Sequence, residues 1–494
     1  MVKIGIICVK GSMPAYETFG YLPNRIIRNL DEIHTCDLVI IPPGYIVETL
    51  KDLEFIKREL YKYYTNGGLI IGVCSGFQLL SKFVETEKRT IKCLDMLDVK
   101  FRPLICTDIV SVELKYRSWL FRDVDKLRNV FHAHTFAPVE IGDVKIVGIS
   151  YPRRVNYFEK GIPIISIVCS KDERIHGILP HNVFNNHKVV ENVCNYLGIK
   201  DFEEHKKRSM EVFKELKDSI YLSRGVACIQ NNLKNIKKVI ICIASLATSD
   251  GKTFITTGIS YALKVRGYNV YVLKLGGDVR DIHPPLYILR EYVRDYSCII
   301  IKGKRDYYGW TSAEKALRRA LEEFDIVLVE GVMGLLTGIS YRVDNYQITS
   351  TIDFINKFKI PYILVCSPTY GGIEDLYIRL KAYLKLLSMK NILPICVIVN
   401  KCYDLENRYV KLIMNLCNKY GVDTYVIPCI RFSKYTHPEI DLDIDTYTKT
   451  AYELVEKYVD VDNILSKCHK YFKRVTERLI KGKLKNEDHD RSRE

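Results

Sequence analysis

The stretch Leu69-Ile-Ile-Gly-Val-Cys-Ser-Gly-Phe-Gln-Leu-Leu80 places one cysteine in a G-x-C-x-G spacing directly behind an apolar run. A strand that turns sharply into a helix holds its turn residue in a strained conformation and needs small neighbours, here Gly72 and Gly76. Cys74 would project from such a turn, at a helix N-terminus whose dipole favours a thiolate. The N–H of Ser75 would then donate to a developing oxyanion. The same spacing also suits a cysteine merely packed between glycines, so its surroundings decide. Asp37-Leu-Val-Ile-Ile-Pro-Pro-Gly44 reads as a strand ending in a tight turn, suited to a second oxyanion N–H near Gly44. A candidate base lies in Glu173-Arg-Ile-His-Gly-Ile-Leu-Pro-His-Asn182, where His176 closes a strand-like segment ahead of a glycine. Together these residues describe a thiol nucleophile with a base and an oxyanion pocket.

A second constellation begins at Val239-Ile-Ile-Cys-Ile-Ala-Ser-Leu-Ala-Thr-Ser-Asp-Gly-Lys-Thr253, a strand, a small-residue loop and a GKT that opens an amphipathic helix. Thr248, Ser249, Asp250 and Gly251 would turn backbone N–H groups toward phosphate, Lys252 would neutralise the outer phosphates, and the Thr253 hydroxyl suits Mg2+. The first glycine of the usual phosphate-loop pattern is missing, and Ser245 or Leu246 stands in its place. Lys274-Leu-Gly-Gly-Asp-Val-Arg-Asp281 follows the next strand and offers Asp278 and Asp281 beside the phosphates. Phe324-Asp-Ile-Val-Leu-Val-Glu-Gly-Val-Met-Gly334 is a buried strand that ends in a carboxylate, and Glu330 would hold Mg2+ directly or through water. On its own such a carboxylate could cap a helix; behind a GKT it reads as catalytic. His132 and His134, two lone histidines with no third ligand, read as hydrogen-bonded structural residues rather than a metal site.

The elements that must position these groups are short β-branched runs alternating with helical spacing. They are Val2–Cys8, Leu38–Ile41, Leu69–Val73, Lys145–Ile149 and Ile164–Cys169, then Val239–Ile243, Val270–Leu275, Cys298–Ile301, Ile326–Val329, Tyr362–Cys366, Cys396–Val399 and Thr424–Ile427. Runs this apolar read as parallel strands buried on both faces. The expectation is an α/β protein of two domains, each a mostly parallel sheet flanked by helices. The first domain takes residues 1–200, a helical and polar linker 201–236, the second domain 237–475, and a charged, disordered tail 476–494.

The 494 residues suit two to four domains, and 74 Lys+Arg against 59 Asp+Glu give a net charge of +15. The basic residues are scattered in pairs such as Arg318 and Arg319, with no long block and no zinc-finger or RNA-binding signature, so nucleic acid is not expected. Sixteen cysteines lie singly in apolar runs without a C-x-x-C, as small core residues in a reducing cytoplasm do. No targeting segment or membrane span is read.

DLVIIPPG, GGLIIGVCSGFQLLSK, LDMLDV and RIHGILPHNVF, over residues 1–198, resemble the class I glutamine amidotransferase domain, in the branch attached to cobyric acid and cobyrinic acid amide synthases. The resemblance implies a flavodoxin-like domain that hydrolyses glutamine, with Cys74 as nucleophile and His176 as base. Most of that class carry Glu two residues after the histidine; Ile178 stands there, and the cobalamin branch also lacks this Glu. SDGKTFITTGISYALKVRGYNVYVLKLGGDVRD, VLVEGVMGLLTG, STIDFINKFKIPYILV and CVIVNKC, over about 239–430, resemble cobyrinic acid a,c-diamide synthase and its dethiobiotin-synthetase relatives, which have a P-loop NTPase-like domain. This resemblance implies ATP and Mg2+, with Mg2+ roles for Thr253, Asp278 and Glu330. It also gives Lys274 a role near the phosphates or the acceptor carboxylate, and Asn400 the part of an adenine-reading residue. Thr337 replaces an acidic residue of the usual pattern. The family places its synthetase domain first, so the order here is reversed. The implied reaction is glutamine- and ATP-dependent amidation of tetrapyrrole carboxylates. Glutamine, a tetrapyrrole polycarboxylate and, as an option, a second copy of the chain are the partners, and the positive charge suits such anions. Two alternatives stay open: cobyric acid-type amidation, and a partitioning-type ATPase carrying a non-catalytic amidotransferase-like module.

Overall fold

The computed structural model describes residues 2–8, 17–44, 53–86, 89–156, 159–219, 238–302, 307–338, 348–430 and 444–472. The polar part of the expected linker (220–236), the expected tail (476–494) and residues 303–306 lie outside them. The chain folds as two compact units, the first built on residues 1–225 and the second on most of the chain from residue 226.

The first unit is organised by an 11-stranded sheet. Arg25–Ile27, Ile4–Ile7, Leu38–Ile41, Leu69–Val73 and Ile175–Ile178 lie side by side and parallel. Leu38–Ile41 and Leu69–Val73 are buried at every residue, as strands covered on both faces must be. Beyond Ile175–Ile178 the sheet turns antiparallel, through Ile164–Cys169, Lys145–Ser150 and the 16-residue strand Val99–Leu114. That last strand pairs with Lys126–Ile141, also 16 residues long. The hairpin is absent from the runs read in the sequence because its burial alternates along Val99–Leu114, the mark of a strand with one wetter face. Pro103 sits where its ladder shifts register, the place a residue without an N–H is tolerated. The helix Phe202–Ser219, assigned to the linker on its charge, drives Val212, Phe213 and Leu216 into the core of this unit beside Ile4, Ile6 and Leu120.

The second unit is a seven-stranded sheet in the order Cys298–Ile299, Val270–Leu275, Ile326–Glu330, Val239–Ser245, Tyr362–Cys366, Cys396–Cys402 and Asp423–Pro428. Each adjacent pair is parallel. The strand Val239–Ser245 is the central one, and residues that follow or end the neighbouring strands meet where order reverses, the crevice in which open α/β sheets bind ligands. Cys242, Cys298, Cys366 and Cys396 are core residues of these strands, while Cys8 in the first unit is exposed.

Candidate functional site

Cys74 closes the strand Leu69–Val73 and precedes the helix Ser75–Leu80, with φ 52° and ψ −111°, a conformation non-glycine residues rarely adopt. Its neighbours explain the glycines. A Cβ on Gly72 would lie 2.6 Å from the Gly76 carbonyl oxygen, and one on Gly76 would lie 2.2 Å from that of Ile41. The turn therefore closes only when both positions are glycine, and the strain is carried by the cysteine. The Cys74 N–H donates to the Ile178 carbonyl at 2.7 Å, tying the turn to the end of the adjacent parallel strand. The thiol, 7% exposed, rests 4.0 Å from the Ala133 carbonyl oxygen.

The loop after Leu38–Ile41 does reach this turn. Gly44 donates its N–H to the Ser75 hydroxyl at 2.5 Å, so the expected donor is next to the cysteine but engaged, and Ser75 must release it to serve an oxyanion. The first N–H groups of the helix, that of Ser75 included, have no intrahelical acceptor.

His176 is not brought to the thiol. The parallel register sets it opposite Ile71, three residues or roughly 10 Å along the strand short of Cys74. Its Nε2 lies 2.8 Å from the Ser118 hydroxyl, and its ring packs edge-on against Trp119 and Phe121. Trp119 in turn is held by Glu173, which precedes the strand at the end away from Cys74. Fully buried there, His176 is pushed down to about 3 by the loss of water around its charged form, only partly offset by Glu173 and Asp172.

The histidine that does reach the cysteine end of the sheet is His181, unassigned in the sequence reading. It lies three residues past Ile178, the acceptor of the Cys74 N–H, and exchanges backbone hydrogen bonds with Phe131 (2.8 and 3.3 Å). Its ring stacks on Phe131 at 4.9 Å between centroids. Phe131 and Ala133 are two residues apart on one strand, so the imidazole and the thiol converge on a stretch about 7 Å long. His181 Nδ1 is 3.7 Å from Glu17 Oε1, and both residues are buried. A usable signal existed: Asn182, next to it, holds φ 65°, and an Asn after Pro-His marks a chain leaving its strand. His132 and His134 continue inward from the same stretch. His134 Nε2 lies 2.9 Å from His132 Nδ1, and His132 Nε2 lies 2.7 Å from Ser150 Oγ. Burial, then charge on His134 and His181, lowers His132 well below its ordinary value.

In the second unit the loop after Ser245 closes at Gly251 (φ 93°), and the helix Lys252–Val265 begins on the next residue. Thr248 and Ser249 are exposed at the crest, while Asp250 is buried. Asp250 accepts from the Ala247 N–H at 2.6 Å and from the Ser367 hydroxyl at 2.7 Å, so it braces the loop from within. Asn400, rather than standing open, donates its amide to the Asp250 carbonyl at 2.9 Å and lies against Gly251, where a Cβ would come within 2.2 Å of it. Ser245, at the missing-glycine position, accepts from Lys252 Nζ at 2.9 Å, and that ammonium also reaches the Met333 carbonyl at 2.8 Å. Burial, then the Lys274 charge, holds Lys252 down to about 8.

Thr253 Oγ1 donates to Glu330 Oε1 at 2.8 Å, uniting two of the three expected metal ligands. Asp278 instead pairs with Arg280 through both carboxylate oxygens at 2.9 Å. Lys274 sits between Asp281 (2.6 Å) and Glu330 (3.2 Å); burial opposes its charge, but the two carboxylates outweigh that and raise its pKa. Burial raises Glu330, and its Oε2 has no hydrogen-bond partner among the described residues. A buried carboxylate oxygen left open beside a threonine hydroxyl fits a hard divalent cation.

Residues 19–110 match the CobB/CobQ-like glutamine amidotransferase domain. That match holds Gly44, Cys74 and Ser75, and it bears out the resemblance read from their motifs. The chain is 28% identical over 236 residues to a cobyrinate a,c-diamide synthase of Saccharolobus solfataricus, covering 45% of this chain and 49% of that protein. It is 27% identical over 199 residues to a cobyric acid synthase of Thermoanaerobacter, covering 36% and 38%. The chain thus spans about half the length, or less, of these relatives. A glutamine amidotransferase structure from Thermotoga maritima aligns with 44% of this chain and 94% of its own, at 16% identity and a TM-score of 0.26. No described helix is long and apolar enough to cross a membrane.

Proposed function

We propose that the chain amidates tetrapyrrole carboxylates with glutamine as nitrogen donor and ATP as energy source, in the manner of a cobyrinate a,c-diamide synthase. The observation that carries the reading is Cys74 at a strained strand-to-helix turn, φ 52°, inside the segment that matches the amidotransferase domain. The thiol gives its proton to His181, the thiolate attacks the glutamine amide carbon, and the departing ammonia takes that proton back. Water then hydrolyses the thioester to glutamate. N–H groups of Ser75 and Gly44 stabilise the oxyanion once the Ser75 hydroxyl turns away.

In the second unit, ATP lies on the loop from Thr248 to Thr253, with Asn400 at its base side. Lys252 leaves the Met333 carbonyl for the phosphates, and Lys274 holds the acceptor carboxylate or the transferring phosphate. Thr253 and Glu330 would hold Mg2+, with Asp278 available once it parts from Arg280, and the ion would supply charge neutralisation to the phosphates. The acceptor carboxylate takes the terminal phosphate of ATP as an acyl phosphate, and ammonia displaces phosphate to leave the amide.

The test supplies glutamine, ATP, Mg2+ and corrinoid or nickel-sirohydrochlorin acceptors and follows glutamate, ADP and product mass. Cys74→Ala is expected to abolish glutamate release, and His181→Gln to lower it about 10²–10⁴-fold. Undiminished release from Cys74→Ala would end the reading. Loss with His176→Gln but not with His181→Gln would return the base to His176. The same acceptors separate the a,c-diamide reaction from cobyric acid formation, which the second relative's name keeps in view.

A further inference from the structure

The base proposed above has no carboxylate on its own segment: two residues beyond His181 stands Val183, apolar and buried. A catalytic imidazole ordinarily needs one partner to fix its tautomer and to stabilise the imidazolium that forms when it takes the proton. Glu17 lies buried against this ring. It is 4% exposed, its Oε1 is 3.7 Å from His181 Nδ1, and neither of its carboxylate oxygens has a hydrogen-bond partner among the described residues. A carboxylate removed from water without a partner is unfavourable in a purely structural role, since an apolar side chain would fill the same space without that penalty.

We infer that Glu17 is the positioning carboxylate of the thiol site, supplied by the N-terminal segment instead of the residues after the histidine. It accepts the Nδ1 proton of His181, which leaves Nε2 to take the proton of the Cys74 thiol. The present 3.7 Å is an ion-pair separation, longer than a hydrogen bond. Such contacts close when substrate is bound and the ring becomes charged. The inference rests on the glutaminase reading, because it assigns a role relative to that base.

The experiment uses the full chain and measures glutamate release at saturating and subsaturating glutamine, with melting temperatures in parallel. Glu17→Gln is expected to lower kcat at least 100-fold with KM for glutamine within threefold, and Glu17→Asp, which retains the charge, to recover at least tenfold of that loss. In a His181→Gln background Glu17→Gln should cost no further activity, since the two residues act as a unit; a merely structural role would make the losses multiply, even if the single variant melts early. Alkylation of Cys74 by a chloroketone analogue of glutamine checks the underlying reading in wild-type protein. A wild type that neither releases glutamate nor is alkylated overturns the glutaminase reading and this inference with it. Normal wild-type turnover with an unchanged Glu17→Gln kcat, or multiplying losses, overturns this inference alone.

Discussion

Cys74 and His176 show how far local environment separates residues of similar promise. The cysteine is held at positive φ at the mouth of the sheet, where the strain keeps its side chain out of the strand's alternation. The histidine is locked inside the same sheet among Ser118, Trp119 and Phe121, and burial holds it down to about 3. Its effect is on stability. The unfolded chain takes up this proton near pH 6.5, whereas the folded chain resists until about pH 3, so the contribution is complete above about 6.5 and is lost as pH falls between the two values. At about 1.4 kcal/mol per pH unit, the total is on the order of a few kcal/mol. Urea midpoints followed from pH 7 to pH 4 should fall more steeply for wild type than for His176→Gln, which keeps a partner for Ser118. Parallel curves would show that another group carries the acid sensitivity.

At the scale of elements, both sites are strand ends made usable by close approach. Helix Ser75–Leu80 can follow Leu69–Val73 so abruptly because Gly72 and Gly76 let backbone meet backbone, and Gly177 leaves room for Phe77, to whose ring a Cβ would come within 2.2 Å. Gly76→Ala should therefore push the helix off the Ile41 carbonyl and cost about 1–3 kcal/mol, read as a lowered denaturation midpoint. A variant as stable as wild type would mean that the turn has slack. The G-x-C-x-G spacing told this much in advance, because a demand for small residues is local. The proposed base was not legible in the same way. Val99–Leu114 and Lys126–Ile141 form the hairpin on which thiol and imidazole converge, and neither strand shows the continuous apolar run that marked the others.

For the whole molecule, each compact unit carries its own half of the proposed reaction, and the halves should be separable by mutation. Lys252→Ala is expected to stop ADP and amide formation while glutamine hydrolysis continues, since its contacts lie wholly within the second unit. Cys74→Ala with an ammonium salt as nitrogen source should still consume ATP and form the amide. Glutamate and ADP release measured on both variants checks this, and loss of ammonia-dependent amidation in Cys74→Ala would show that the thiol site is also needed for the second half.

By itself the sequence determined what depends on neighbours along the chain: the apolar runs, the glycines around Cys74, the GKT that opens a helix, and the carboxylate ending Ile326–Glu330. Tertiary structure decided what depends on residues far apart in sequence. Parallel pairing with Leu69–Val73 set His176 opposite Ile71 and carried His181 to the cysteine end of the sheet. Burial of Glu17 against that second histidine joins the N-terminal segment to a strand end more than 160 residues away, and Asn400 reaches back to brace the loop at Asp250. Spacing along a chain records periodicity and turn chemistry; register between strands is set by which faces must be buried together, and a shift of a few residues changes which of two histidines lies at the cysteine end of the sheet.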